Sequence, residues 1–124
     1  MAATKDVSVL HNDATMTGGA GPTNSSAANL ATGYGASVLM KITNGATAPT
    51  TAASIILEVS ADSINWYEMN GGSVDLQGTT TNNDVVSKHF EIPPGVKYVR
   101  SATTHGDDQD VTVRVEVGNV SAVA

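Results

Sequence analysis

Apolar residues recur two apart along much of this chain, which predicts strands with one buried face. In Lys5–Leu10 the alternation is brief, and a short edge strand is expected there. From Tyr34 to Thr43 it is sustained, with Ala36, Val38, Met40 and Ile42 on one face and Ser37, Leu39, Lys41 and Thr43 on the other. Ser54–Ser60 places Ile55, Leu57 and Val59 together, and Asp62-Ser63 supplies a turn into a short strand over Trp66–Met69, closing a hairpin. Asn70-Gly71-Gly72 ends that strand.

Ser73–Leu76 reads as another short strand, followed by a polar connection over residues 77–83. Val85–Ile92 offers two registers, Val86, Lys88, Phe90 and Ile92 in one and Val85, Ser87, His89 and Glu91 in the other, and Pro93-Pro94-Gly95 stops it. Tyr98–Thr104 gives a seventh run and Asp110–Val117 an eighth. In the last, Val111, Val113, Val115 and Val117 alternate with Thr112, Arg114 and Glu116. No window shows helical spacing free of glycine, proline or β-branched interruption. Seven to eight strands without helices predict an all-β, two-sheet antiparallel β-sandwich, immunoglobulin-like or jelly-roll-like.

Residues 13–33 break the alternation. This stretch is rich in Gly, Ala, Ser and Thr around Gly18-Gly19-Ala20-Gly21-Pro22 and holds almost nothing to anchor a core, so it predicts an extended arm or long loop. The whole chain of 124 residues is of the size of one domain spanning 1–124.

Composition narrows the picture. Much of the 40% hydrophobic content is alanine and only 4% is aromatic, so the core is expected to be thin and aliphatic. With no cysteine, disulfides and thiolate zinc sites are ruled out, and a reducing compartment is compatible. The opening residues lack the basic and apolar segments of a secretory signal, and no run approaches the ~20 apolar residues that cross a bilayer, so a soluble protein without a membrane partner is expected. A net charge of −6 gives no electrostatic pull toward nucleic acid. Charge is also uneven, since Lys41 is the one charged residue between Ala14 and Leu57.

Candidate chemistry is sparse. His11, His89 and His105 have no local metal-ligand spacing. His105-Gly106-Asp107-Asp108-Gln109-Asp110 gathers three carboxylates in one turn, a donor type that calcium favours, although the same composition suits a solvated hairpin. Twelve acids allow a carboxylate pair without singling one out, and neither a serine elbow nor a phosphate loop before a helix is present. No residue is therefore assigned as catalytic, cofactor-binding or metal-ligating, and a non-enzyme without cofactor is expected. Trp66-Tyr67 is the one dense aromatic patch; a core plug is the favoured reading and a sugar-stacking platform the other.

Two stretches carry a resemblance. Leu57-Glu58-Val59-Ser60-Ala61-Asp62-Ser63-Ile64-Asn65-Trp66-Tyr67-Glu68 resembles the V-S-x-D-G-x-N-W hairpin of small β-sandwich structural proteins of tailed bacteriophages, with Ser63 where glycine is common. Ile92-Pro93-Pro94-Gly95-Val96-Lys97-Tyr98-Val99-Arg100 resembles the turn-then-tyrosine entry to a late strand in immunoglobulin-like sandwiches. The resemblance implies a virion protein made in the host bacterial cytoplasm, most like a capsid decoration (cement) protein on the capsid exterior. Its implied partners are the major capsid protein and neighbouring copies of itself, a trimer around a local symmetry axis being one arrangement. A tail-tube, baseplate or fibre component, or a carbohydrate-binding adhesion module using Trp66 and Tyr67, are the alternatives.

Overall fold

The computed structural model describes residues 3–30, 35–71 and 73–123, with side chains described from Val7 to Asn119 within those limits. Tyr34, the last residues of the 13–33 segment and Gly72 lie outside the described residues. Ten strands and no helix are present among the described residues: β1 (Ala3–Met16), β2 (Thr23–Asn24), β3 (Ala28–Asn29), β4 (Ala36–Asn44), β5 (Ser54–Ser60), β6 (Tyr67–Glu68), β7 (Leu76–Gln77), β8 (Val85–Ile92), β9 (Tyr98–Thr104) and β10 (Val111–Val123). They form a two-sheet antiparallel β-sandwich. Sheet A has the order β1-β10-β4-β8; in sheet B, β9 and β5 are central, with β2 and β3 along the outer side of β9 and β6 and β7 along that of β5.

The alternation dictates the core. Val38, Met40 and Ile42 of β4 and Val111, Val113, Val115 and Val117 of β10 point inward and are buried, facing Ile55, Leu57 and Val99 from sheet B. In β8 the register with Val86, Phe90 and Ile92 inward is the one adopted, since those residues stand opposite inward-facing Ile42, Val38 and Ala36. The β5–β6 hairpin forms as expected, with Val59 opposite Tyr67 and Glu58 opposite Glu68.

Three features depart from the sequence reading. The strand count exceeds seven to eight because β2 and β3, in the segment that breaks the alternation, are pairings only two residues long, too short to show any period. The first strand runs on to Met16 and the last to Val123, because each extends the ladder of the other past its own alternating run. Extending β1 in this way requires register shifts at Thr4/Lys5, Val9/His11 and His11/Ala14, and the last coincides with a left-handed Asp13 (φ 47°).

The third departure concerns the segment after β1. It has anchors after all: Met16, Ala28 and Leu30 are buried in the core, and β2 and β3 pair with β9. Hydrogen bonds from Leu30 N to Lys97 O (2.6 Å) and from Ser25 N to Ser101 O (2.8 Å) hold the segment extended along the sheet edge. Three well-spaced apolar side chains and a borrowed strand edge offset the ordering entropy that composition alone leaves uncovered.

Candidate interaction surfaces

The outer face of sheet A is set by register. Val9, Glu116, Leu39 and His89 form one row across all four strands, and Gly118, Ser37 and Glu91 follow Val7 in the next. Four apolar side chains stand out on this face: Val7 is 66% exposed, Val9 42%, Leu39 51% and Val85 52%. Isolated exposed valines on a surface are ordinary, but here they share one face. Between them lies a shallow trough of about 300 Å³ lined by Leu39, Lys41, Ser87, His89, Arg114 and Glu116.

Arg114 is the best-held charge on this face. Arg114 donates to Glu116 Oε1 (2.8 Å), Asn12 Oδ1 (2.7 Å) and Asp13 Oδ2 (3.0 Å), which pins the bulge of β1 to the centre of the sheet. Ser37 Oγ donates to Glu91 Oε1 at 3.0 Å. The face is therefore a broad, gently polar surface with apolar points, and it presents no converging acid and base.

The aspartate turn is a staple. Asp108 accepts from both the main-chain N–H and the hydroxyl of Thr50 (2.9 Å each), Asp107 Oδ1 accepts from Thr51 N (2.8 Å), and Asp110 Oδ1 accepts from Gly18 N (2.8 Å). These bonds hold the Asp108 carboxyl below its ordinary range, the Thr50 main-chain bond contributing most. The three acids thus tie three separate chain segments together. No group of three or more acids or histidines fit to hold a metal exists among the described residues. Gly18 is required at this junction, since a Cβ there would sit 2.4 Å from Gln109 N.

The histidines divide. His89 is exposed on β8, whereas His105 bridges two segments through Thr23 Oγ1 (2.7 Å) and Thr17 O (2.8 Å). His11 is buried on β1 and its Nε2 has no partner. Burial, and secondarily the nearby His105, lowers the His11 pKa.

Trp66 is neither a core plug nor an open platform. It is half-buried on the outer side of sheet B, with the Arg100 guanidinium 4.2 Å from its ring centroid, and Arg100 Nε in turn bonds Glu58 Oε1 at 2.8 Å. One ring face is thus taken by a cation. Tyr67, the first residue of β6, is 68% exposed opposite Val59. In the preceding turn, Asp62 Oδ1 accepts from Ile64 N (2.9 Å) and Asn65 N (2.8 Å), bonds that hold its pKa well below the carboxylate range. Ser63 occupies the left-handed region (φ 62°), which explains why glycine is common there.

No protein-family model matches this sequence, and a search of curated proteins finds no relative. Solved structures share the fold. A chain in the structure of infectious bursal disease virus, Gx strain, superposes with a TM-score of 0.58 at 8% identity, over 94% of this chain and 31% of that one. The Gt strain of the same virus gives 0.56 at 9% identity, over 94% and 32%. The SPBc2 prophage-derived protein YomS gives 0.52 at 16% identity and matches almost end to end, over 95% of this chain and 96% of that one. This chain is similar to less than a third of the length of the viral chains. At these identities the likeness is one of fold: a β-sandwich found in viral and prophage-derived proteins.

Proposed function

We propose that the protein is a non-enzymatic structural component of a tailed-phage virion, and that it acts as a capsid decoration protein which binds the major capsid protein lattice through the outer face of sheet A. The observation that carries this reading is the set Val7, Val9, Leu39 and Val85, exposed together on one four-stranded face at whose centre Arg114 is ion-paired with Glu116 and Asp13. A surface of that kind meets another broad surface: it has apolar points to desolvate in a polar surround, and its hollows, of about 300 Å³ around Leu39 and about 620 Å³ beside Val7, Ser37 and Glu91, lie open to solvent. The long ladders of β10 and β4 and the Arg114 bonds to the β1 bulge hold the surface in regular strands, so little ordering entropy is lost on docking. Binding only the assembled shell stabilises that shell by mass action.

Co-sedimentation with shells purified from particles that lack the protein tests the reading. The wild type should pellet with the shells and raise their disruption temperature. Leu39→Asp on the face should weaken pelleting by about tenfold or more, whereas Ile64→Asp, exposed on the opposite sheet, should not. Equal binding by both variants, or assembly of the pure protein into rings or tubes, would count against a capsid role, the second outcome in favour of a tail component.

A further inference from the structure

The two outer edges of sheet A are built differently. At one edge, β1 carries three register shifts and the left-handed Asp13, so its outward N–H and C=O groups form no regular row. Bulges of this kind are a device that blocks edge-to-edge pairing. At the other edge, β8 pairs with β4 over eight successive positions, Ala36↔Ile92 to Thr43↔Val85, with no shift.

The orientation of the free groups follows from one bond. Asn44 N donates to Asp84 O at 2.8 Å, which places Asp84, and by alternation Val86, Lys88 and Phe90, among the residues whose main chain faces β4. Ser87, His89 and Glu91 therefore direct their N–H and C=O groups away from the sheet, and no main-chain hydrogen bond reaches them there among the described residues. The strand is exposed from Ser87 to His89 on both faces, while Val86 and Phe90 are only half-buried at the margin of the core.

We propose that β8 adds to β8 of a second copy, antiparallel about a two-fold axis at His89, so that the two A sheets join into one. The main-chain groups call for an extended strand, and the side chains select the copy's own β8. A two-fold axis normal to the sheet sets residues of like face opposite each other. Centred on Lys88, it would oppose two ammonium groups, which is destabilising. Centred on Phe90, the ladder meets Pro93, which has no N–H, opposite Ser87 and keeps two complete hydrogen-bonded pairs; centred on His89, it meets Pro93 only opposite Val85 and keeps three.

Centred on His89, it sets the Ser87 hydroxyl opposite the Glu91 carboxylate, Val86 opposite Ile92, and Lys88 opposite Phe90. The last repeats across the axis the cation–ring contact that Lys88 already makes with Phe90 in its own strand, at 5.0 Å. The pairing also covers Val86 and Phe90. It is two-fold, unlike the trimer that the phage resemblance suggests, and it stands whether or not the virion reading holds.

Sedimentation across a concentration series reads the association directly. The wild type should dimerise, and His89→Pro, which deletes an outward N–H and none toward β4, should weaken dimerisation by about tenfold to a hundredfold with an unchanged circular dichroism spectrum. Because the chain has no cysteine, His89→Cys supplies a single thiol that a short bismaleimide should link into dimers, while Ser8→Cys on the β1 edge should stay monomeric. A wild type that remains monomeric throughout, an unweakened dimer in folded His89→Pro, or linkage through Ser8→Cys in place of His89→Cys would each overturn the proposal.

Discussion

Sheets A and B enclose one core but are held by different means. Sheet A consists of four strands of 8 to 14 residues, in register over long ladders, and its inward positions are nearly all aliphatic. Sheet B has two strands of seven residues, and everything else in it is a two-residue pairing fixed by side chains that bond main chain. Asp75 is the central example: fully buried, it accepts from Leu57 N at 2.6 Å and is also bonded by Asn70 Nδ2. Sheet A uses the same device at the end of β4, where Asn44 Nδ2 donates to Thr79 O and Thr81 O. Sheet A leans on long ladders and burial; sheet B shares the core through Ile55, Leu57 and Val99 and adds side-chain bonds to its main chain, although Ser101 Oγ and Thr103 Oγ1 are buried there without a partner.

That contrast can be broken at one residue in each sheet. Ile42→Ala removes a fully buried side chain in sheet A and should lower unfolding free energy by about 3–4 kcal/mol in a denaturant titration. Asp75→Ala removes almost no apolar area yet leaves the Leu57 N–H buried without an acceptor, and should cost about 2–3 kcal/mol, with Asp75→Asn recovering part of it. A negligible loss in Asp75→Ala would mean that sheet B, too, rests on burial alone.

Acid separates the sheets next. His11 in sheet A has a folded pKa below its ordinary value of 6.5, so the unfolded chain binds the proton more readily. Its contribution is complete above 6.5 and declines as pH falls below that value, and His11→Leu should remove the decline. Asp62 and Asp108, both depressed, add a second loss only below about 3.8, the ordinary aspartate value. A pH series of thermal midpoints for wild type and His11→Leu measures both. Smallest is the hairpin: Ser63→Gly relieves the left-handed residue and should stabilise by about 0.5–1 kcal/mol, read as a rise in midpoint.

The same contrast explains what could be read from the residues alone. Sheet A's long strands and β5 and β9 announce themselves through period-two alternation, so the sandwich and its inward faces were legible. Met16, Ala28 and Leu30 were not, because isolated apolar residues in a Gly/Ser/Thr stretch reveal their burial only once β10 extends β1 as far as Met16 and β9 offers an edge to Ala28 and Leu30. The aspartate turn was recognisable as a carboxylate cluster, but Thr50, Thr51 and Gly18, which use those carboxylates, lie 56 or more residues away. Trp66 was visible as an aromatic signal without its Arg100 cover, a pairing created by the β5–β9 register that sets Glu58 opposite Arg100. Leu39 could be placed on an outward position, but the alternation in Lys5–Leu10 points Val7 and Val9 inward, and they stand outward because β1 pairs with β10 opposite Gly118 and Glu116, on the face away from the core.

The place of β10 in sheet A governs how the molecule can be made. β10 is the last strand in chain order and the inner strand of sheet A, bonded on one side to the first strand and on the other to β4. During synthesis, β1 and β4 therefore leave the ribosome with the strand that joins them still to come, and the aliphatic faces of β4 and β5 wait without their cover. Such long-range closure is slow and leaves sticky strands open meanwhile. A newly made chain can thus close sheet A only after residues 111–123 have cleared the exit tunnel.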